Sequence, residues 1–313
     1  MEYTAPLFLF NAHLETIYPS LIRRVQIHPY TRERIATPDD DFLDLDWLEH
    51  DSKKLLIISH GLEGSSERPY VKGLARAAFH KGYDVLAWNF RGCGGEINRQ
   101  LRFYHSGATD DLDTVIVHAL NKNKYSEIVL SGFSLGGNLT LKYLGERKID
   151  ERITHGVVFS VPMHLQSSCA KISQPSNWIY ANRFLRSLKK KILLKHRSYP
   201  SLNISPLRTI KTIETFDDTY TAPLHGFANA AEYYDRNSAI HFLPEITIPT
   251  LIINALNDPF LSERCFPYEK LKGHATVRLE TPIRGGHVGF AQFTGAGVYW
   301  SEERAMHFIE TLK

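Results

Sequence analysis

From Arg32 onward the apolar positions of the chain switch period repeatedly. Leu43, Leu45 and Trp47 alternate with Asp44 and Asp46, the two-residue period of a strand with one packed face and one wet face. Pro38-Asp39-Asp40-Asp41 supplies a turn ahead of it, so residues 32–48 predict a hairpin. Leu55-Leu56-Ile57-Ile58 is instead a short unbroken apolar run, which suits a parallel strand covered on both faces. Residues 71–81 carry helical spacing that stops at Gly82, a residue suited to the left-handed turn after a helix. The rhythm repeats with a strand at 84–90, a helix at 110–120 whose first turn is acidic, a strand at 127–133 and a helix at 135–145. Strands at 157–161, 250–255 and 277–281 and an amphipathic helix at 300–312 complete the pattern. Strands and helices alternating after a leading hairpin predict an α/β fold, a mostly parallel, doubly wound sheet with an antiparallel edge.

Residues 163–244 break the rhythm, with helical patterns and no clear strand. They fall between two predicted sheet strands, which makes them a helical insertion within a single domain spanning 1–313. Ligands in such sheets bind outside the carboxyl ends of the strands, so the insertion is a candidate lid.

Composition changes this picture in one place. A net charge of +3 is too mild to argue for nucleic acid, but residues 183–197 hold seven Lys and Arg and no acid. With Asn182 as N-cap, Phe184, Leu185, Leu188 and Ile192 fall at helical spacing, and Arg183, Arg186, Lys190 and Lys191 fall largely elsewhere. One reading is contact with an anionic membrane surface. The expectation is the other: a lid helix whose Leu185 and Leu188 shape an acyl pocket while its basic side stays in water, since charge runs are usually solvated faces. No run approaches the roughly 18 apolar residues of a membrane span, and Leu7-Phe8-Leu9-Phe10 is too short for a secretory signal core. Cys93, Cys169 and Cys265 are an odd, scattered set with neither disulfide nor zinc spacing, which fits reduced thiols and a cytoplasmic setting.

The chemistry centres on Gly132-Phe133-Ser134-Leu135-Gly136. G-x-S-x-G also arises as an ordinary glycine-rich turn, so its context decides. Here the apolar strand Ile128-Val129-Leu130 runs into it and a helical pattern runs out, which would hold Ser134 on a sharp strand-to-helix turn. A serine hydroxyl needs a base, and the base needs an orienting acid. Asp258 follows an apolar strand in Asn257-Asp258-Pro259-Phe260, although Asp-Pro is also a common turn. His287 follows the last strand, in Gly285-Gly286-His287-Val288-Gly289. Its rivals are badly placed: His274 precedes that strand and His307 belongs to a helix. His60-Gly61-Leu62-Glu63-Gly64 follows the first long apolar strand, where the backbone N–H of Leu62 could pair with that of Leu135 as an oxyanion hole. His60 itself reads as structural, and Cys93 lacks a base in the expected order.

Several of these segments, in this order, resemble the YheT-like esterases of the AB hydrolase 4 family. They are His60-Gly61-Leu62-Glu63-Gly64-Ser65-Ser66, Asn89-Phe90-Arg91-Gly92-Cys93-Gly94-Gly95, Tyr104-His105-Ser106-Gly107 and Gly132 to Asn138. Asn11-Ala12-His13-Leu14-Glu15-Thr16-Ile17, the segment Gly226 to Tyr234, and the acid and base motifs extend the likeness from about residue 11 to about residue 293. The resemblance implies an α/β-hydrolase fold, Ser134, Asp258 and His287 as catalytic triad, and carboxylic esters with short or medium acyl chains as small-molecule substrates. It implies no metal, nucleotide or other cofactor. Some members of the family are membrane-anchored lipid hydrolases. This sequence lacks their N-terminal membrane segment, which turns the expectation away from phospholipids. Two other functions share these residues: an acyltransferase using an alcohol in place of water, and a hydrolase-like binding protein without turnover.

Overall fold

The computed structural model describes residues 1–293 and 297–311. A helix, α1 (Ala12–Ile22), leads into the hairpin β1 (Thr31–Ala36) and β2 (Phe42–Leu48). Then follow β3 (Lys54–Ser59), α2 (Pro69–His80), β4 (Asp84–Asn89), α3 (Thr109–Asn121), β5 (Glu127–Phe133), α4 (Leu135–Glu146) and β6 (Ile153–Phe159). The insertion carries α5 (Leu165–Ile172), α6 (Trp178–Ser198) and α7 (Ala230–Asn237) among short helical turns. β7 (Thr250–Ile253), β8 (Val277–Glu280) and α8 (Trp300–Thr311) close the chain. Leu312, to which the sequence pattern extends the last helix, lies outside the described residues.

The eight strands form one sheet in the order β1-β2-β4-β3-β5-β6-β7-β8. The β1–β2 and β2–β4 pairs are antiparallel and all others parallel. This is the α/β-hydrolase fold with its leading hairpin. The unbroken apolar runs are explained by burial on both faces. Leu55, Ile57, Leu86, Trp88, Ile128 and Leu130 pack on one side against Leu112 and Val115 of α3 and Leu139 of α4. Leu56, Ile58, Val85, Ala87 and Val129 pack on the other against Val71 and Leu74 of α2 and Phe308 of α8.

The hairpin departs from its pattern. All seven residues of β2 are buried, Asp44 and Asp46 included. The register sets Arg34 opposite Asp44 and Arg32 opposite Asp46, and each guanidinium grips its carboxylate with two hydrogen bonds of 2.7–3.1 Å. The face expected to be wet is thus closed by cross-strand ion pairs. β6 also begins four residues earlier than its apolar run, at Ile153, because β5 pairs with it from there, Ile128 opposite Ile153 and Val129 opposite His155.

Beyond β4, Arg91 has a fully buried side chain. It donates to Asp111 (Nε–Oδ2 2.8 Å), Asp39 (2.9 Å) and Asp41 (2.8 Å), joining the hairpin turn to α3. Three carboxylates converge on one cation, which holds Asp39 well below the usual carboxylate range against the opposing effect of burial. Removing one partner of a buried charge network strands the others. Arg91→Met is therefore expected to destabilise the fold by about 3–5 kcal/mol in denaturant titration. A loss below about 1 kcal/mol, the level of an exposed ion pair, would contradict this account of the network.

Candidate active site

Ser134 connects β5 to α4 with φ 54° and ψ −118°, a conformation costing about 1–3 kcal/mol in a residue with a side chain. Packing imposes it. A Cβ at Gly132 would meet the Gly136 carbonyl oxygen at 2.2 Å, and one at Gly136 would meet the Ser59 and His60 carbonyl oxygens at 2.4 Å. The Ser134 N–H donates to the Phe159 carbonyl of β6 (2.8 Å), which pins the turn to the next strand. Asn138, on the first turns of α4, is fully buried. It donates to the carbonyls of Ser106 (2.9 Å) and Asn237 (2.8 Å) and accepts from Ala239 N–H (2.9 Å), tying the turn to the end of the insertion.

Asp258 and His287 follow β7 and β8 at the same sheet edge. His287 Nδ1 faces the carboxylate of Asp258 at 2.8 and 3.1 Å, so it carries the proton and donates. Nε2 is left as acceptor, 3.0 Å from Ser134 Oγ. Asp258 has a fully buried side chain, and its Oδ1 also accepts from Phe260 N–H at 2.9 Å. The ring of Phe260 lies 4.2 Å from the imidazole. The three residues singled out in the sequence thus form one continuous hydrogen-bonded chain. The rivals are elsewhere: His274 engages the Leu243 carbonyl and the Val277 N–H at the start of β8, and His307 is exposed on α8.

Helix α1, which the sequence pattern did not reveal, supports this chain. Asn11 caps it by accepting from Leu14 N–H (2.9 Å). Thr16 Oγ1 accepts from His287 N–H (2.9 Å) and donates to the Ala12 carbonyl (2.7 Å). Glu15 is 1% exposed. It accepts from Asn257 Nδ2 (2.7 Å) and Gly285 N–H (3.1 Å) and pairs with Arg284 (2.8 Å). One carboxylate therefore ties together the loops that carry Asp258 and His287. Asn11 followed by a helical run was the available signal, obscured by Pro19 inside the helix.

The loop after β3 runs along the other side. His60 is buried, which pushes its pKa down to about 3 and keeps it neutral. Its Nδ1 donates to the Gly61 carbonyl (2.8 Å) and its Nε2 accepts from Phe90 N–H (3.1 Å), a structural role. Leu62 lines the same cavity as Ser134, and Leu135 is the first residue of α4. Glu63 takes φ 53°, and its carboxylate accepts from Tyr104 Oη (2.6 Å), from Lys191 Nζ (2.7 Å) and from Ser187 Oγ.

Lys191 and Ser187 belong to α6, and their contacts correct the reading of the basic segment. The helix starts at Trp178, so Asn182 lies inside it and is no cap. Lys191 is largely buried against Glu63 and Cys93, whose sulfur lies 3.0 Å from its Nζ. Lys195 is 1% exposed and donates to the carbonyls of Asn98 and Gln100 (both 2.5 Å). The basic side is therefore partly docked on the body of the protein rather than left in water. Leu185 and Leu188 join Leu207 and Phe216 of the insertion and Phe103 of the body in a separate apolar cluster. Their spacing was helical, but their partners are not the pocket. The face of α6 that lines the cavity is one register away, at Ile179, Tyr180, Arg183, Phe184 and Ser187.

That cavity has a volume of about 390 Å³, with Ser134 and His287 in its wall. A nucleophile, a base oriented by a buried carboxylate and a largely apolar cleft are the elements of acyl transfer. Cys93 has no such chain, and burial pushes its thiol pKa up. Among the described residues no helix is long and apolar enough to cross a membrane.

Residues 54–293 match the model of the α/β-hydrolase fold family. Over 289 residues the chain is 37% identical to YheT of Escherichia coli (strain K12), covering 90% of this chain and 84% of that protein. It is 27% identical over 301 residues to the Phospholipase ABHD3 of Bos taurus, covering 93% of this chain and 73% of that one. The Pyrococcus furiosus esterase Pf2001 shares the fold with a TM-score of 0.59 at 20% identity, covering 92% of this chain and 97% of that one. Fold, ordered motifs and these relatives converge: the chain belongs to the α/β-hydrolase family, in its YheT-like branch.

Proposed function

We propose that the protein is a serine carboxylesterase acting through an acyl-enzyme on Ser134. The observation that carries this reading is the unbroken hydrogen-bonded chain from Asp258 through His287 to Ser134 at a cavity wall. As Ser134 Oγ attacks the ester carbonyl carbon, its proton passes to His287 Nε2. The backbone N–H groups of Leu62 and Leu135 receive the oxyanion, each donor contributing about 10²–10³-fold. Asp258 holds the tautomer and balances the imidazolium. When the tetrahedral intermediate collapses, His287 returns the proton to the leaving alcohol. Water then enters by the same route in reverse and releases the acid. The substrates are short to medium acyl esters, supported by a mostly apolar cavity of limited volume. Residues 163–244 act as the lid of a one-domain enzyme, supported by the five positions of α6 in the cavity wall. The three unpaired cysteines support a cytoplasmic setting.

A fluorophosphonate probe is expected to label Ser134. Ser134→Ala should abolish labelling and lower ester turnover by more than about 10⁴-fold, with Asp258→Asn and His287→Ala of comparable effect. Peptide mapping that found the adduct on another residue would refute the assignment.

Glu15 acts as a positioning residue, since it touches both the Asn257 and the Gly285 loops but no reacting atom. Glu15→Gln keeps the shape and removes the charge opposite Arg284. It should lower kcat about tenfold or more at nearly constant KM, because small displacements of a base carry costs of this order. Steady-state kinetics giving an unchanged kcat would contradict the role.

A further inference from the structure

The cavity wall is apolar over most of its area, with Ile17, Pro19, Leu62, Phe184 and Phe260 among its residues, yet three arginines reach it. They are not alike. Arg23 is satisfied, with its two terminal nitrogens on the two oxygens of Glu302 at 2.5 and 2.9 Å. Arg68 gives one hydrogen bond to the Glu63 carbonyl (2.8 Å), and among the described residues no carboxylate pairs with it. Arg183, on α6, also has no carboxylate partner among them.

Among the described residues Glu63 is the one carboxylate in the lining, and it is engaged by Lys191, Tyr104 and Ser187. Arg68 and Arg183 therefore line the same cavity as Ser134 without a carboxylate partner among the described residues. Both cations act on the same point. Burial pushes the hydroxyl pKa of Tyr70 up, and Arg68 and Arg183 each pull it back. Tyr70 Oη accepts from Gly61 N–H at 3.1 Å, so this positive field sits next to the loop proposed to hold the oxyanion.

Arg68 is half-buried and Arg183 is exposed on α6, so both guanidinium groups stay within reach of a ligand that enters the cleft from solvent. A guanidinium offers the planar fork that fits a carboxylate or a phosphate. We infer that the substrate of this site is an ester bearing an anionic group, a carboxylate or a phosphate, held by Arg68 and Arg183 while its apolar part fills the cleft. The inference rests on the esterase reading for the word ester, but the anion site stands on the two arginines alone.

Its test separates the two. Calorimetric binding of hexyl phosphate, heptanoate and hexanol is measured on the full chain carrying Ser134→Ala, which needs no turnover. Each anion is expected to bind at least about tenfold tighter than hexanol, the margin of a charge-assisted contact. Adding Arg68→Gln and Arg183→Gln should bring that margin to about twofold or less, while Arg183→Lys alone should keep part of it. The tighter of the two anions identifies the group as phosphate or carboxylate. In the wild-type chain, the 4-nitrophenyl monoester of heptanedioic acid should be cleaved with a higher kcat/KM than 4-nitrophenyl hexanoate, and the double Arg variant should lose the preference. Equal affinity for hexanol and both anions, or a margin that survives loss of both arginines, would overturn the inference. If esters were cleaved at Ser134 with no anionic preference, this inference alone would fall. If the anions bound through the arginines and no ester were cleaved, the esterase reading would fall instead.

Discussion

At the junction of β5 and α4 there is no space between backbones. The Gly132 and Gly136 positions face carbonyl oxygens so close that any side chain would collide. That contact lets the first turn of α4 sit directly on the ends of β3 and β5. The chain must then reverse within one residue, and Ser134 takes the strained φ of 54°. The strain is offset by the cooperative burial of the sheet on both faces and by the Ser134–Phe159 backbone bond. Every other part of the candidate site is arranged around a hydroxyl whose position this junction fixes.

Asp258 and His287 instead ride on loops after β7 and β8. Their positions depend on buried polar contacts supplied from far along the chain. Glu15 and Thr16 come from the N-terminal helix, and Ser160, after β6, accepts from the Val288 N–H at 2.8 Å. On the opposite side Glu63 joins the β3 loop to α6 through Lys191 and Ser187. The insertion is thus attached next to the proposed oxyanion donor. Groups of this kind are expensive to bury unless fully paired, so they make the arrangement specific rather than merely stable.

The sheet was legible because parallel strands buried on both faces leave unbroken apolar runs, as at Leu55-Leu56-Ile57-Ile58, and because turns announce themselves through Gly, Pro and Asp. Ser134, Asp258 and His287 were legible from their places after strands, and the structure brings them together. What was not legible depends on who pairs with whom. Asp44 and Asp46 read as solvent-facing because a strand pattern does not reveal arginines opposite them. Lys191 and Lys195 read as a wet face because a charge run does not reveal Glu63 or the Asn98 and Gln100 carbonyls waiting for it. Leu185 and Leu188 have the expected spacing, but a helix in an insertion has more than one apolar neighbour to choose from, and they pack with Leu207 and Phe216 of the insertion and Phe103 of the body. α1 stayed hidden because its buried members are Glu15, Thr16 and Pro19, which are not an apolar stripe.

We propose that catalysis passes through a covalent acyl group on Ser134. This step is tested most directly by mixing the enzyme with excess 4-nitrophenyl butyrate, quenching in acid within milliseconds and mapping the peptides by mass. The expected result is a burst of about one nitrophenolate per active site and a butyryl increment confined to the peptide containing Ser134. Turnover without any acylated peptide, or with the increment on a different residue, would contradict it.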